Sequence, residues 1–269
     1  MDRKLFYLGI GLAVVLVFCG ISVFGSVEKV LQPHPDRETF YQVSTMGALA
    51  GGAFAGVQPV SELKKHGDFG IGTFDGLNGE MIVLDGNVYQ AFSNGTVATA
   101  PDKETVPFAM VTWFDRDSTV ITDRPMNYTG LTGYLTAALP SDTMIYAVRI
   151  HGTFPEMTVR SIPQQQRPYP SLVAAAANQS VYSLADAKGT IVGFFLPGFM
   201  SGPNMAGYHL HFISDDRKTG GHVLDFSAGA DTIIELDATP QIFITVPPSG
   251  ASGTSVTGNV SEAVAAVER

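Results

Sequence analysis

The stretch Gly207-Tyr-His-Leu-His-Phe-Ile-Ser-Asp-Asp-Arg-Lys-Thr-Gly-Gly-His-Val-Leu-Asp225 constrains this chain more than any other. It carries His209, His211 and His222, half of the six histidines. Residues two apart on a β-strand leave the same face, so His209 and His211 point together. Ser214 to Thr219 is polar and turn-like, and Gly220-Gly221 frees the backbone as the chain returns. An antiparallel hairpin with its loop centred near Asp216 sets His222 opposite His211, with Cβ atoms about 5 Å apart. Leu210, Phe212 and Val223 fall on the other face and give the hairpin an apolar side to bury. Three imidazoles then converge with no fourth protein ligand in the segment. That is the donor set of a catalytic zinc site whose open position belongs to water or substrate. Zinc is the first choice, and other first-row divalent ions suit the same ligands. Neutral ligands leave the ion's charge uncompensated, which favours Lewis-acid work on a carbonyl or hydroxyl. A cupin is a poor match: Asp215 and Asp216 sit in the turn, and the third histidine follows only eleven residues after the second.

Composition narrows the partners. A net charge of −9 argues against nucleic acid or an anionic membrane surface, both of which require clustered Lys and Arg. A small anionic substrate stays open, because one placed Arg and a metal outweigh the global field locally. The N-terminus stands apart. Arg3 and Lys4 precede an apolar run from Leu5 to Val27, close to the roughly 20 residues of one membrane span. Residues 1–27 are thus either a signal peptide cleaved after Gly25 or a single N-terminal membrane anchor. Both place the protein outside the cytoplasm, secreted or held at the outer face of the cytoplasmic membrane. Phe18 is bulky where a lipidated Cys19 needs a small neighbour, so a lipoprotein is excluded. Cys19 is the one cysteine, so the remaining chain has no disulfide and must hold a metal through His or carboxylate.

The remainder, about 240 residues, suffices for one large domain or two small ones. With 45% hydrophobic residues, 29 Gly and 17 Phe, it reads as a strand-rich globule with many turns. The expected fold class is α+β (mixed α/β), sheet-rich, with few short helices and mixed or antiparallel sheets in two subdomains. These are an N-terminal sheet domain at 38–165 and a C-terminal metal-binding sheet domain at 171–269, with Pro163 to Pro170 as the crossing. Strands are expected at 40–46, 69–74, 108–114, 144–151 and 190–196. Glu80–Leu84 and Asn87–Phe92 form the clearest hairpin around Asp85-Gly86, a pair suited to a type I′ turn. Alternating glycines at 70 and 72 suggest close backbone approach. Short helices are expected at 61–65, 130–139 and 261–268, and Ser249–Gly258 reads as flexible. Thr232–Leu236 is expected to pair with Gln241–Val246. On position alone Arg160 is a surface cation, Glu80 opens a strand, Glu268 is a terminal residue, His151 is structural, and His34 and His66 lie in loops.

Several segments together resemble a known family. They are Thr45-Met-Gly-Ala-Leu49, Lys65-His-Gly-Asp-Phe-Gly-Ile-Gly-Thr-Phe74, Leu77-Asn-Gly-Glu-Met-Ile-Val-Leu-Asp-Gly-Asn-Val-Tyr-Gln90, the segment around Arg160, Gly198 to Phe212, and Gly220 to Asp225. In order and separation they resemble acetolactate decarboxylase, from about Phe40 to the C-terminus. The resemblance implies a zinc-dependent carboxy-lyase, with one Zn2+ per chain and no organic cofactor. It would convert 2-acetolactate to acetoin and carbon dioxide on the route to butanediol, and commonly work as a homodimer. It further implies His209, His211 and His222 as zinc ligands, Arg160 and Thr73 at the substrate, and Glu80 and Glu268 as active-site glutamates. In such a lyase the metal chelates the keto and hydroxyl oxygens and stabilises the enediolate left by decarboxylation, which removes any need for thiamine or pyridoxal. Arg160 orients the carboxylate, and Glu80, on the more rigid strand, delivers the proton with Glu268 in support. Two alternatives are a different metal-dependent β-keto acid lyase or hydrolase, and a non-catalytic exported metal-binding protein.

Overall fold

Strand-forming segments separated by Gly, Asp and Pro turns set the element order in the computed structural model, which describes residues 35–247 and Val267. After a 3-10 turn at Pro35–Glu38, β1 (Thr39–Val43) leads to helix α1 (Met46–Ala50), whose start is capped by Thr45 Oγ1 accepting the Ala48 N–H. There follow β2 (Gln58–Pro59), α2 (Val60–Leu63), β3 (Phe69–Thr73), β4 (Glu80–Leu84), β5 (Asn87–Ala91), β6 (Val97–Thr99), β7 (Thr105–Val106) and β8 (Phe108–Thr112). Then come β9 (Ser118–Ile121), β10 (Met126–Asn127), α3 (Tyr128–Ala138), β11 (Tyr146–Ser161) and α4 (Leu172–Ala176). The last elements are β12 (Ser180–Leu196), β13 (Gly207–Ser214), β14 (Gly220–Ala228), β15 (Ile233–Ala238) and β16 (Gln241–Thr245). Helix α3 starts two residues earlier than expected because Asn127 Oδ1 accepts the Gly130 N–H, and it ends at Ala138, with Leu139 before Pro140 already extended.

The first seven-stranded sheet runs β16-β1-β8-β3-β4-β5-β6. Its β4–β5 hairpin turns at Asp85 (φ 51°) and Gly86 (φ 74°), both left-handed as a type I′ turn requires. The glycines of β3 permit a close approach to β8: a Cβ on Gly72 would lie 2.5 Å from the Phe108 carbonyl oxygen. The second seven-stranded sheet runs β10-β14-β13-β12-β11-β15-β9, and β14 also pairs with β11. Strands β11 to β14 therefore close into a ring. Ring closure needs bending. The long β11–β12 ladder is interrupted at Pro155, which has no N–H, and at left-handed Asp186, between the pairs Phe154–Ala187 and Glu156–Ala185.

Period-two alternation distributes the side chains among three cores. On β13, Leu210 and Phe212 enter the core inside the second sheet with Phe154, Phe226 and α3 residues Leu131 and Leu135. Ile213 faces the other way, into the core shared with Ile71, Ile82 and Met110 of the first sheet. On β4, Met81 and Val83 enter a third core on the far side of the first sheet, while Ile82 and Leu84 face the second sheet. Glu80 and His209 or His211 thereby share the inter-sheet side by parity alone.

The sheet-rich α+β class holds, but three expected connections do not. The described residues cluster as one compact unit, and the sheets do not divide at 165–171. Strand β16 pairs in parallel with β1 of the first sheet, while β9, β10 and β11 all build the second. Pro163 to Pro170 is accordingly no crossing between sheets, since β11 and β12 on either side of it pair together. Nor do β15 and β16 form a hairpin. Strand β15 already has β11 on one side and β9 on the other, so it offers no free edge, and the chain crosses to the open edge of β1. Residues 1–27, the stretch Ser249–Gly258 and the tail expected to be helical lie outside the described residues, except that Val267 is buried in the inter-sheet core. Among the described residues no helix is long and apolar enough to cross a membrane.

Asp237, in β15, carries a testable consequence. It is buried, accepts the Asp115 N–H through Oδ2, and has Asp117, Glu38 and Asp115 as acidic neighbours. Burial, reinforced by those charges, pushes its carboxyl up to about 8. A folded-state value above the unfolded 3.8 means that the folded chain keeps a proton the unfolded chain has lost between about pH 4 and pH 8. Stability through this group should fall across that window as pH rises. Asp237→Asn, whose amide oxygen can still accept the Asp115 N–H, should melt above the parent at pH 8 and with it at pH 4. Equal melting points at both pH values would remove this account.

Candidate active site

The histidine hairpin forms in the register its spacing implies, with His211 paired to His222 across β13 and β14. Strand β12 lies on the other side of β13, pairing Phe194 with His209 and Val192 with His211. The three rings stand 5.1 to 5.4 Å apart, centroid to centroid, and one donor nitrogen from each lies within 4.8 Å of the others. All three are buried. His211 Nδ1 lies 2.8 Å from the Met81 carbonyl oxygen, and a carbonyl can only accept. The proton is therefore on Nδ1, and the Nε2 lone pair is free to bind a cation. Burial, with Arg160 adding to it, pushes His209 down to about 3. His211 is held well below the usual imidazole range by burial, then His209 and Arg160, against the bond to Met81. Both are neutral near pH 7, as metal ligands must be. The donor chemistry fits one divalent ion with room for a further ligand.

Arg160 is no surface cation. It is 3% exposed, and its place follows from ring closure: β14 pairs with β11 so that Arg160 sits opposite His222. Close approach there depends on Gly221, where a Cβ would lie 2.6 Å from the Arg160 carbonyl oxygen. Arg160 Nη1 donates to Glu80 Oε1 at 2.5 Å, and Glu80 Oε2 lies 3.8 Å from His211 Nε2. Glu80, 6% exposed, pairs with Thr73 across β3 and β4. The Thr73 hydroxyl donates to the Gly79 carbonyl at 2.7 Å, which leaves its oxygen an acceptor in the cavity. Thr73, Glu80, Arg160, His209 and His211 line one pocket with an apolar wall that includes Met46, Leu49, Phe108, Ile162 and Leu172.

Glu268 lies outside the described residues, although its neighbour Val267 is buried in the core that supplies much of this wall. His151 is exposed on β11 with Nδ1 3.2 Å from Thr190 Oγ1, and His66 stacks on Tyr41 with centroids 3.8 Å apart. His34 is outside the described residues. Sequence reasoning missed the apolar wall and the Met81 carbonyl. Leu or Phe in a wall carries the same local pattern as Leu or Phe in a core, and a backbone acceptor leaves no residue-type signal.

Residues 40–252 match the family model described as alpha-acetolactate decarboxylase. The chain is 44% identical over 230 residues to the alpha-acetolactate decarboxylase of Methanosarcina mazei, covering 84% of this chain and 80% of that one. It is 41% identical over 218 residues to the enzyme of that name from Methylococcus capsulatus, covering 81% and 83%. The crystal structure of alpha-acetolactate decarboxylase from Bacillus subtilis strain 168 superposes with a TM-score of 0.83 at 34% identity, over 86% of this chain and 99% of that one.

Proposed function

The chain belongs to the alpha-acetolactate decarboxylase family, and from that premise we propose that it is a zinc-dependent carboxy-lyase converting 2-acetolactate to acetoin and carbon dioxide. One observation carries the reading at the level of the site: a buried Arg160–Glu80 pair lines the same cavity as His209 and His211, two of three clustered, buried imidazoles. A non-catalytic metal binder has no use for that pair, and the 3.8 Å between Glu80 and His211 supports a joint role with the histidines.

The substrate is a β-keto acid, so cleavage of its carboxylate carbon leaves an electron pair that flows into the neighbouring carbonyl. His209, His211 and His222 would hold a divalent ion, which would supply Lewis acidity towards the oxygens where negative charge gathers. Arg160 presents a planar fork to the carboxylate and fixes its direction. Tight binding there would favour the state that still holds the charge, so its part is positioning. Without substrate, the guanidinium partners Glu80 and favours the carboxylate form of that residue. A substrate carboxylate arriving at Arg160 places a second negative charge beside Glu80 and raises its proton affinity. Glu80 then takes up one proton from solvent as substrate binds and delivers it to one face of the carbon that has lost carbon dioxide, giving a chiral alcohol and returning Glu80 to its carboxylate form. Glu268 is the second proposed glutamate, supported by the burial of Val267 beside it. Thr73, with its hydroxyl proton committed to Gly79, accepts a hydrogen bond from the substrate hydroxyl.

Purified, zinc-loaded protein given racemic acetolactate should release acetoin well above the spontaneous rate, with one zinc per chain by metal analysis. Folded, metal-loaded protein that releases acetoin only at the spontaneous rate would refute the assignment. A homodimer follows from the family resemblance and is tested by sedimentation of the same sample. Export rests on Arg3, Lys4 and the apolar run behind them, and is tested by fractionating cells that express the full chain.

A further inference from the structure

The loop between β3 and β4 holds a backbone conformation that its sequence does not favour. Six non-glycine residues have positive φ among those described: Ser44, Leu77, Asp85, Asp186, Arg217 and Asp231. Four are Ser or Asp, which turns accept, and Arg217 lies in the β13–β14 loop. Leu77, at φ 55°, is the apolar one, and for a bulky side chain this is a genuine outlier. Gly76 and Gly79 beside it also have positive φ, so glycine is the residue this loop uses where only conformation matters.

The loop is tied down on both sides. Gly76 N–H donates to the Phe54 carbonyl, and the Gly76 carbonyl accepts from Gln165 N–H. Gly79 N–H reaches the carbonyls of Leu77 and Ile162, Gln90 donates to the Asn78 carbonyl, and Asp75 accepts the Gly56 N–H. A sparsely populated conformation persists only when its surroundings over-determine it in this way, and such residues concentrate at functional sites. The strain carries the Leu77 side chain into the pocket. There it is 2% exposed beside Thr73, Glu80, Arg160 and His209.

We infer that Leu77 is a specificity-determining residue, its side chain forming the wall against an alkyl substituent of the substrate. The inference rests on the proposed decarboxylation. Arg160, Glu80 and the histidines address the oxygens of a 2-hydroxy-3-keto acid, which leaves its two methyl groups to the apolar wall. Leu77 is the wall residue on the loop joining Thr73 to Glu80. Its methyl groups are thus fixed relative to both, and the space they leave selects a methyl over a longer chain. One methylene in an apolar pocket is discriminated by about 10-fold or more.

The test compares 2-acetolactate with its two homologues, in which ethyl replaces the methyl on the hydroxyl-bearing carbon or the methyl on the ketone. Release of carbon dioxide from acetolactate by the parent is measured first; if it is absent, the proposed function itself fails. Given that activity, Leu77→Ala should raise kcat/KM for at least one homologue, relative to acetolactate, by about tenfold at unchanged metal content. A relative kcat/KM within threefold of the parent for both homologues overturns the inference. Should Leu77→Ala fail to fold, Leu77→Val decides by the same threefold criterion. Leu131→Ala, in the core inside the second sheet, should leave the ratios alone, since lost packing by itself does not alter selectivity. Leu77→Gly should melt above Leu77→Ala, because glycine relieves the left-handed strain; a lower melting point contradicts the strain on which the inference stands.

Discussion

Purified His211→Ala protein should retain no stoichiometric divalent ion and should lose acetoin release by at least about a hundredfold, because removing even an outer partner of a metal ligand costs about 10- to 100-fold. Three features make His211 the most sensitive of the three proposed ligands. It is paired directly to His222, its ring is fixed by the Met81 carbonyl, and its Nε2 lies beside Glu80. Alanine removes a donor and the ring's orientation together, leaving two histidines that cannot close the site. Metal analysis by emission spectroscopy and an acetoin assay on one sample check both halves. Full zinc with lost activity would mean that the ion sits elsewhere. Full activity without zinc would mean that the histidines serve another purpose.

Arg160→Ala should behave differently. The metal should stay, since no ligand is touched, while kcat/KM falls by about 100-fold or more with the loss of carboxylate positioning. Stability should fall too. Removing one member of a buried ion pair costs about 3–5 kcal/mol, because the other charge is left in a poor solvent. Glu80 is 6% exposed, so that cost applies here. Arg160→Ala, Glu80→Gln should recover much of the lost stability and none of the lost turnover, which separates the structural use of the pair from the chemical one. Arg160→Lys keeps the charge but loses the planar fork, and should raise KM more than it lowers folding stability. If Arg160→Ala kept parental kcat/KM, the substrate carboxylate would have to be held by another group.

Local chemistry wrote much of this into the chain. Asp85-Gly86 specifies a turn in which both residues are left-handed, and the period of two puts His209 and His211 on one face whatever lies around them. The register pairing His211 with His222 follows from loop length, and the close approach of β3 to β8 follows from Gly70 and Gly72. Arg160 shows where such reasoning stops. Its neighbours in sequence give it the pattern of a surface cation, and only the family resemblance pointed elsewhere. Its burial depends on β14 returning to pair with β11 across some sixty residues of chain. Strands β15 and β16 failed for a related reason. Adjacent segments pair by default, but β15 had partners on both edges and β16 found β1 from the far end of the chain.

The sequence by itself therefore determined the clustering of His209, His211 and His222 and the strand-rich class, because these depend on residue type and on spacings shorter than one hairpin. Only the tertiary structure decided that Arg160 and Glu80 meet within hydrogen-bonding distance beside those histidines, and that Leu77, left-handed at its backbone, lines the same pocket. Those placements rest on closure of the β11–β14 ring and on the packing of one sheet against the other. Both are set by apolar burial across the whole chain, and no short window of sequence encodes them.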